Sequence, residues 1–166
     1  MNGSPTAGQV MNGSPTAGQV MSRVLVAVKA EESPLMAWEL MRRAGVHHLP
    51  VLDGGRLLGI LTRECLAASW SGGPQEQAGR EVRDLLGGAR TPRVGPDTPL
   101  SRVAAAMLDA DVDAVPVLSD DGLVGLITAR DVLSAVAGRI EPRPEPSEVV
   151  TGMFHLEPIL PERREA

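Results

Sequence analysis

The sequence predicts an α/β protein of the α+β kind, built from two copies of a β-α-β-β-α unit. Three observations carry that prediction. The chain resembles itself at an offset of 66 residues, so that Gly45-Val46-His47-His48-Leu49-Pro50-Val51-Leu52 aligns with Asp111-Val112-Asp113-Ala114-Val115-Pro116-Val117-Leu118. Leu57-Leu58-Gly59-Ile60-Leu61-Thr62 then aligns with Leu123-Val124-Gly125-Leu126-Ile127-Thr128, and seven of the 22 positions in the window 45–66 are identical to their partners. Short β-branched runs alternate with helix-capping signals in the same order in both halves, as a repeated supersecondary unit requires.

The first copy opens on Val24 to Val28, a β-branched run suited to a strand. Ser33-Pro34 supplies an N-cap and a proline for the first helical position. Leu35, Met36, Leu40 and Met41 follow near helical spacing, and Gly45 marks the helix end. Leu49–Leu52 and Leu57–Leu61 form a hairpin across the turn residues Asp53-Gly54-Gly55-Arg56, and Thr62 starts a helix through Ala68. The second copy repeats this order. Arg93-Val94 is a brief extended piece, and Thr98-Pro99 opens a helix with Val103, Met107 and Leu108 on one side. Strand Ala114–Leu118, turn Ser119–Gly122, strand Leu123–Ile127 and a helix from Thr128 complete it.

Five regions follow. Residues 1–15 contain most of a perfectly duplicated MNGSPTAGQV and read as a disordered or artefactual leader, set aside from function. The second copy of the decapeptide runs into the fold, because Thr16 and Gln19 have capping-box spacing. Repeat 1 spans 16–70, a Gly/Ser/Pro linker 71–79, repeat 2 80–137, and 138–166 alternates proline with charge as an extended, mobile tail. Its apolar island Met153-Phe154-His155-Leu156 is a docking candidate.

Composition narrows the function classes. Sixteen basic against 21 acidic residues give a net charge of -5, which speaks against a nucleic-acid backbone binder. The charge is uneven: residues 1–90 hold nine Arg/Lys and eight Asp/Glu, and 91–166 hold seven and thirteen. No run approaches the ~18 apolar residues of a membrane span, and no basic-then-apolar leader is present, so a cytoplasmic address is expected. Cys65 is the single cysteine and cannot form an internal disulfide. Aromatic residues number three, Trp38, Trp70 and Phe154, so a flat ligand must be held by aliphatic side chains and backbone. No nucleophile elbow, phosphate loop or zinc-protease motif occurs, and the chain is read as non-enzymatic.

The repeated unit, with its h-P-V-h hairpin and the closing Gly125-Leu126-Ile127-Thr128-Ala129-Arg130-Asp131-Val132, resembles a tandem pair of cystathionine-β-synthase (CBS) domains, the Bateman module, over residues 16–137. The resemblance implies two repeats packed through their sheets about a pseudo-twofold axis, with two clefts for adenine nucleotides or related adenosyl ligands. It also implies a homodimer and a separate regulated protein. No cofactor is required. Thr128 would offer its hydroxyl to a phosphate, Asp131 would accept from ribose hydroxyls, and Val94, Val112 and Val115 would flank the base through their backbone. Arg130 would add charge beside Thr128. A helix N-terminus favours an anion, and a carboxylate is a natural acceptor for a diol. Thr128 and Asp131 equally read as a capping box with no ligand at all.

The first repeat departs from this pattern. Cys65 stands where the ribose-binding acid would be, so its cleft reads as empty, differently selective, or held through Thr62 and phosphate contacts alone. His47 and His48 lie where relatives carry phosphate-facing basic residues, but strand neighbours face opposite sides. A shared metal is not expected. Their counterparts Asp113 and Ala114 weaken phosphate binding. Two rivals remain: a ligand-free dimerisation scaffold, and a small enzyme using Cys65.

Overall fold

The computed structural model describes residues 13–88, 90–140 and 148–152. The chain begins with α1 (Ala17–Val20), where the Gln19 side chain accepts from the Thr16 N–H at 2.9 Å. Strand β1 (Val24–Lys29) leads to α2 (Pro34–Ala44), whose N-cap Ser33 Oγ accepts from the Met36 N–H at 3.1 Å. Ala37, Leu40 and Met41 are the buried stripe of α2, and Leu35 stays exposed. The antiparallel hairpin β2 (His48–Asp53) and β3 (Arg56–Thr62) follows, then α3 (Arg63–Ser69), capped by Thr62 Oγ1 on the Cys65 N–H.

The segment 71–79, read as a linker, contains a short helix, α4 (Pro74–Ala78), because Pro74 sits at a first helical turn and Gln77 is fully buried. A 3₁₀ turn spans Val82–Leu85. In the second repeat α5 (Leu100–Ala110), β4 (Ala114–Ser119), β5 (Gly122–Thr128) and α6 (Ala129–Val136) start 66 residues after their counterparts. Even the break in hairpin register recurs, at Val51/Leu52 and Val117/Leu118.

Three local expectations shift. Thr98 does not cap α5; its Oγ1 accepts from the Gly95 N–H, Pro99 takes the cap position, and the Leu100 N–H donates to the Pro15 carbonyl. Leu108 is 82% exposed, turned out of the core beside buried Met107, so only Val103 and Met107 of the expected stripe are buried. The tail is not wholly loose: Glu148–Thr151 forms β6, parallel to β1, giving the sheet order β3-β2-β1-β6 beside the separate pair β4-β5. A β-branched Val149-Val150-Thr151 run explains it. Met153–Leu156 lies outside the described residues.

Each repeat's core is completed by the segment that precedes the other repeat. Ala17, Val20 and Met21 pack with Val103, Val115, Val117 and Ile127 of the second repeat, whereas Val82, Leu85 and Leu86 pack with Leu40, Met41, Leu61 and Leu66 of the first. Glycine is needed where these segments cross. A Cβ built at Gly125 would overlap the Met21 side chain, and one at Gly59 would stand 3.2 Å from Thr91 Oγ1 and 3.4 Å from Leu86. A third cluster, Leu25, Ala114 and Leu126 with Ile60, Leu123 and Val149, joins the repeats across their sheets.

Candidate functional site

The strand ends converge where the two repeats meet. Backbone bonds Arg63 N–H to His47 O (3.0 Å) and Ala129 N–H to Asp113 O (2.8 Å) tie each β3/β5 exit to the approach of its own β2/β4. His48 Nε2 then meets Asp113 Oδ1 at 2.8 Å, bridging the repeats. His47 has a different partner, Arg63 Nη1, at 3.4 Å. The adjacent histidines therefore serve separate contacts, and among the described residues no cluster of three or more His, Cys, Asp or Glu side chains is arranged to hold a metal.

Beside this junction runs a groove of about 780 Å³. One wall carries Ile60, Thr62, Glu64 and Cys65; the other carries Met107, Val112, Asp113, Ala114 and Val132. Leu86, Arg90 and Thr91 also line it, as do Leu108 and Leu133 of α5 and α6. The groove is open because α5 and α6 present Ala104 and Ala129 to it. Their first-repeat counterparts are Trp38 and Arg63, with the Arg63 guanidinium 5.4 Å from the Trp38 ring centroid and the Trp70 ring 6.2 Å away. Charge on the lining is three carboxylates, Glu64, Asp111 and Asp113, against the guanidinium of Arg90.

Asp111 has a backbone conformation that few residues adopt, φ 52° and ψ 48°, at the end of α5. Gly45 holds the corresponding position with φ 65°. Asp is tolerated there better than most residues, so the second repeat places a carboxylate on the groove where the first has no side chain. Asp111 was legible as a mismatch in the repeat alignment; Leu86 and Arg90 gave no such signal, because their place depends on the exchanged segments.

The other predicted residues are distributed as follows. Thr62 and Val112 line the groove. Val115 is fully buried in the second core, and half-buried Val94 bridges to Val117 in parallel fashion, so the side chain of Val115 serves packing. Thr128 caps α6: Asp131 Oδ2 accepts from both the Thr128 N–H and its Oγ1 at 2.8 Å, and Thr128 Oγ1 accepts from the Asp131 N–H at 3.4 Å. Arg130 is exposed on α6. Cys65, also exposed, faces the groove from α3. Among the described residues no helix is long and apolar enough to cross a membrane.

Two repeats, each an antiparallel hairpin between helices, with exchanged entry segments and a groove at their seam, define a paired α/β module. The family model for the CBS domain matches residues 17–70 and 82–138, and the chain belongs to the CBS-domain family. It is similar to an inosine-5'-monophosphate dehydrogenase of Korarchaeum cryptofilum, 33% identical over 112 residues, or 66% of this chain and 22% of that protein. The chain spans less than a quarter of the length of the curated relatives it matches. Among solved structures it resembles the cytosolic domain of the Mg2+ channel MgtE in complex with ATP, with a TM-score of 0.61, 28% identity and coverage of 73% of this chain and 48% of that one. The CBS domain pair of protein MJ0100, in complex with 5'-methylthioadenosine and S-adenosyl-L-methionine, shares the fold, with a TM-score of 0.65, 22% identity and coverage of 76% and 98%.

Proposed function

We propose that this chain is a non-enzymatic regulatory module that receives an adenosine-containing ligand in an inter-repeat cleft and converts occupancy into a change of dimer or partner geometry. The observation that carries this reading is the seam groove of about 780 Å³, within the ~300–1,000 Å³ typical of small-molecule sites. Its mostly aliphatic lining suits a base held without aromatic stacking. Three carboxylates against one guanidinium rank a weakly anionic adenosyl ligand above a triphosphate there. Thr128 and Asp131 serve the second cleft, where ligand hydroxyls compete with the capping bonds that hold them.

Thermal melting with AMP, ADP, ATP, NAD and S-adenosylmethionine tests this. A ligand at 100 times its dissociation constant adds about 2.7 kcal/mol, a shift of several degrees at ~2–4 °C per kcal/mol. Ala104→Trp, which installs the residue the first repeat carries at Trp38, removes a shift arising in the groove. Thr128→Ala and Asp131→Ala remove one arising in the second cleft. No shift with any of the five defeats the proposal.

A second reading, a homodimerising scaffold, rests on Leu108, Leu133 and Val136, which are 82%, 69% and 80% exposed on neighbouring α5 and α6. Burying them against a second copy removes this apolar face from water. Leu108 and Leu133 also border the groove, so Val136→Glu is the variant expected to shift sedimentation equilibrium towards monomer; an unchanged association constant defeats this interface.

A further inference from the structure

Residues 90–93 occupy in the second repeat the positions of Val24–Ala27 in the first. The first-repeat edge carries a strand: β6 pairs with β1 in parallel, Glu148 opposite Val24 and Thr151 opposite Ala27, and Val149 packs with Leu25, Leu123 and Leu126. Beside 90–93 there is instead a recess of about 530 Å³, lined among the described residues by Leu58, Leu86, Gly88, Arg90, Thr91 and Arg93. The two segments are equivalent by position, but only the first is a paired strand; among the described residues the second joins its sheet through a single bridge, Val94 to Val117.

The backbone at this edge is set up for pairing. Val94 N–H donates to Pro116 O at 3.3 Å and Val94 O accepts from Leu118 N–H at 2.9 Å, so Val94 faces β4. Pro92 fixes its own φ and restricts Thr91 to the extended region, and in an extended backbone the amides of Arg93 and Thr91 turn the other way from Val94, towards the recess. Among the described residues, neither amide has a hydrogen-bond partner. Proline and basic residues often guard an edge against pairing. Here Pro92 falls on the side facing β4, where its missing N–H protects nothing, and both outward positions keep their donors; the Arg93 guanidinium donates to the Leu57 carbonyl at 2.9 Å beside the recess, so an incoming segment displaces that bond.

We infer that the 90–93 edge is a docking strand for an extended segment of a partner protein, an acidic residue followed by β-branched residues, which joins the second repeat as β6 joins the first. Charge selects the acid. In the register of β1 and β6, the position of Glu148 falls opposite Arg90, so an acid there meets a guanidinium where Glu148 itself meets Val24. The recess adjoins the groove and shares Leu58, Leu86, Arg90 and Thr91 with it, so the segment and a ligand in the groove meet at Arg90.

The probe is a fluorescent peptide with the sequence of residues 147–152, Ser-Glu-Val-Val-Thr-Gly, titrated by anisotropy into the full chain with no nucleotide present. Saturable binding below about 1 mM is expected. Arg90→Glu weakens it about fivefold to tenfold, and a Glu148→Lys peptide restores binding to that variant. Thr91→Pro removes an outward N–H and abolishes binding, while its melting temperature reports whether the fold is kept. Absence of binding overturns the inference. So does binding that is indifferent to Arg90→Glu and the charge swap, since the peptide would then be replacing β6 on β1.

Discussion

The two repeats agree in what builds the fold and disagree in what faces outward. Pro50 and Pro116, Gly59 and Gly125, Thr62 and Thr128 are matched pairs at hairpin, crossing and cap. Facing the seam or solvent, Cys65 stands against Asp131, His47 against Asp113, Gly45 against Asp111, Trp38 against Ala104, and Arg42 against Leu108. Selection by packing acts on the first set, because each member fills a fixed backbone geometry. The second set is free to diverge, and it divides labour: the first repeat closes its surface with a tilted pair of indole rings, ion pairs and a strand, and the second leaves a groove, an apolar helix face and an unpaired edge.

The largest test of this division lies in the cores. Met41 and Met107 are equivalent, but Met41 is fully buried and Met107, 6% exposed, lines the groove. Met41→Ala is expected to cost about 3–5 kcal/mol and Met107→Ala about 2, because the second cavity opens to water and the first does not. Urea denaturation checks it, and equal costs would mean that the groove is closed in solution. Next come the crossings. Gly125→Ala is expected to cost about 1–3 kcal/mol, since Met21 must move, and Gly59→Ala less, because a new Cβ there stands in tight contact without overlap.

The caps come third. Thr128→Ala and Thr62→Ala each cost about 1 kcal/mol, with Thr128 the larger because only its cap is reciprocated by a carboxylate, Asp131 against Cys65. Equal melting losses would remove the reciprocal bond as a factor. The smallest effect is at Glu39, whose pKa is lowered from 4.5 to about 2 by hydrogen bonds from Arg42 and Arg43. A depressed carboxylate contributes stability above its unfolded pKa and loses it as pH falls through the folded value. Any contribution therefore fades between about pH 4.5 and 2, and it is slight because the group is exposed. Side-chain NMR titration of Glu39 measures it; Ala105 leaves α5 without an equivalent.

Much of this was legible in the sequence because it is local. Caps at Ser33, Thr62 and Thr128, the hairpins and the 66-residue offset are encoded within a few residues of where they act. The crossing of α1 onto the second repeat and of Val82–Leu86 onto the first was not legible, since no local signal reports which core an entry segment completes. β6 was masked by the prolines around it, although Val149-Val150-Thr151 carried a strand signal. At the site, Thr62 and Val112 are legible in the repeat and lie on the groove, whereas Thr128 and Asp131, which the resemblance, the helix N-terminus and the acid point to, are engaged with each other in the α6 cap. The open groove lies on the Cys65 side because two alanines make room there, a matter of side-chain volume across the seam.

The exchanged entry segments also bear on how the protein is made. α1 emerges from the ribosome before either hairpin, yet its seat includes Ile127, so roughly 100 further residues must be synthesised before it can dock, about 5–20 s at ordinary elongation rates. Throughout that interval Val20 and Met21 remain uncovered on a nascent chain. Assembly is thus ordered from the outside in: the first repeat closes once Val82–Leu86 arrives, and α1, made before both hairpins, is among the last of these elements to find its place.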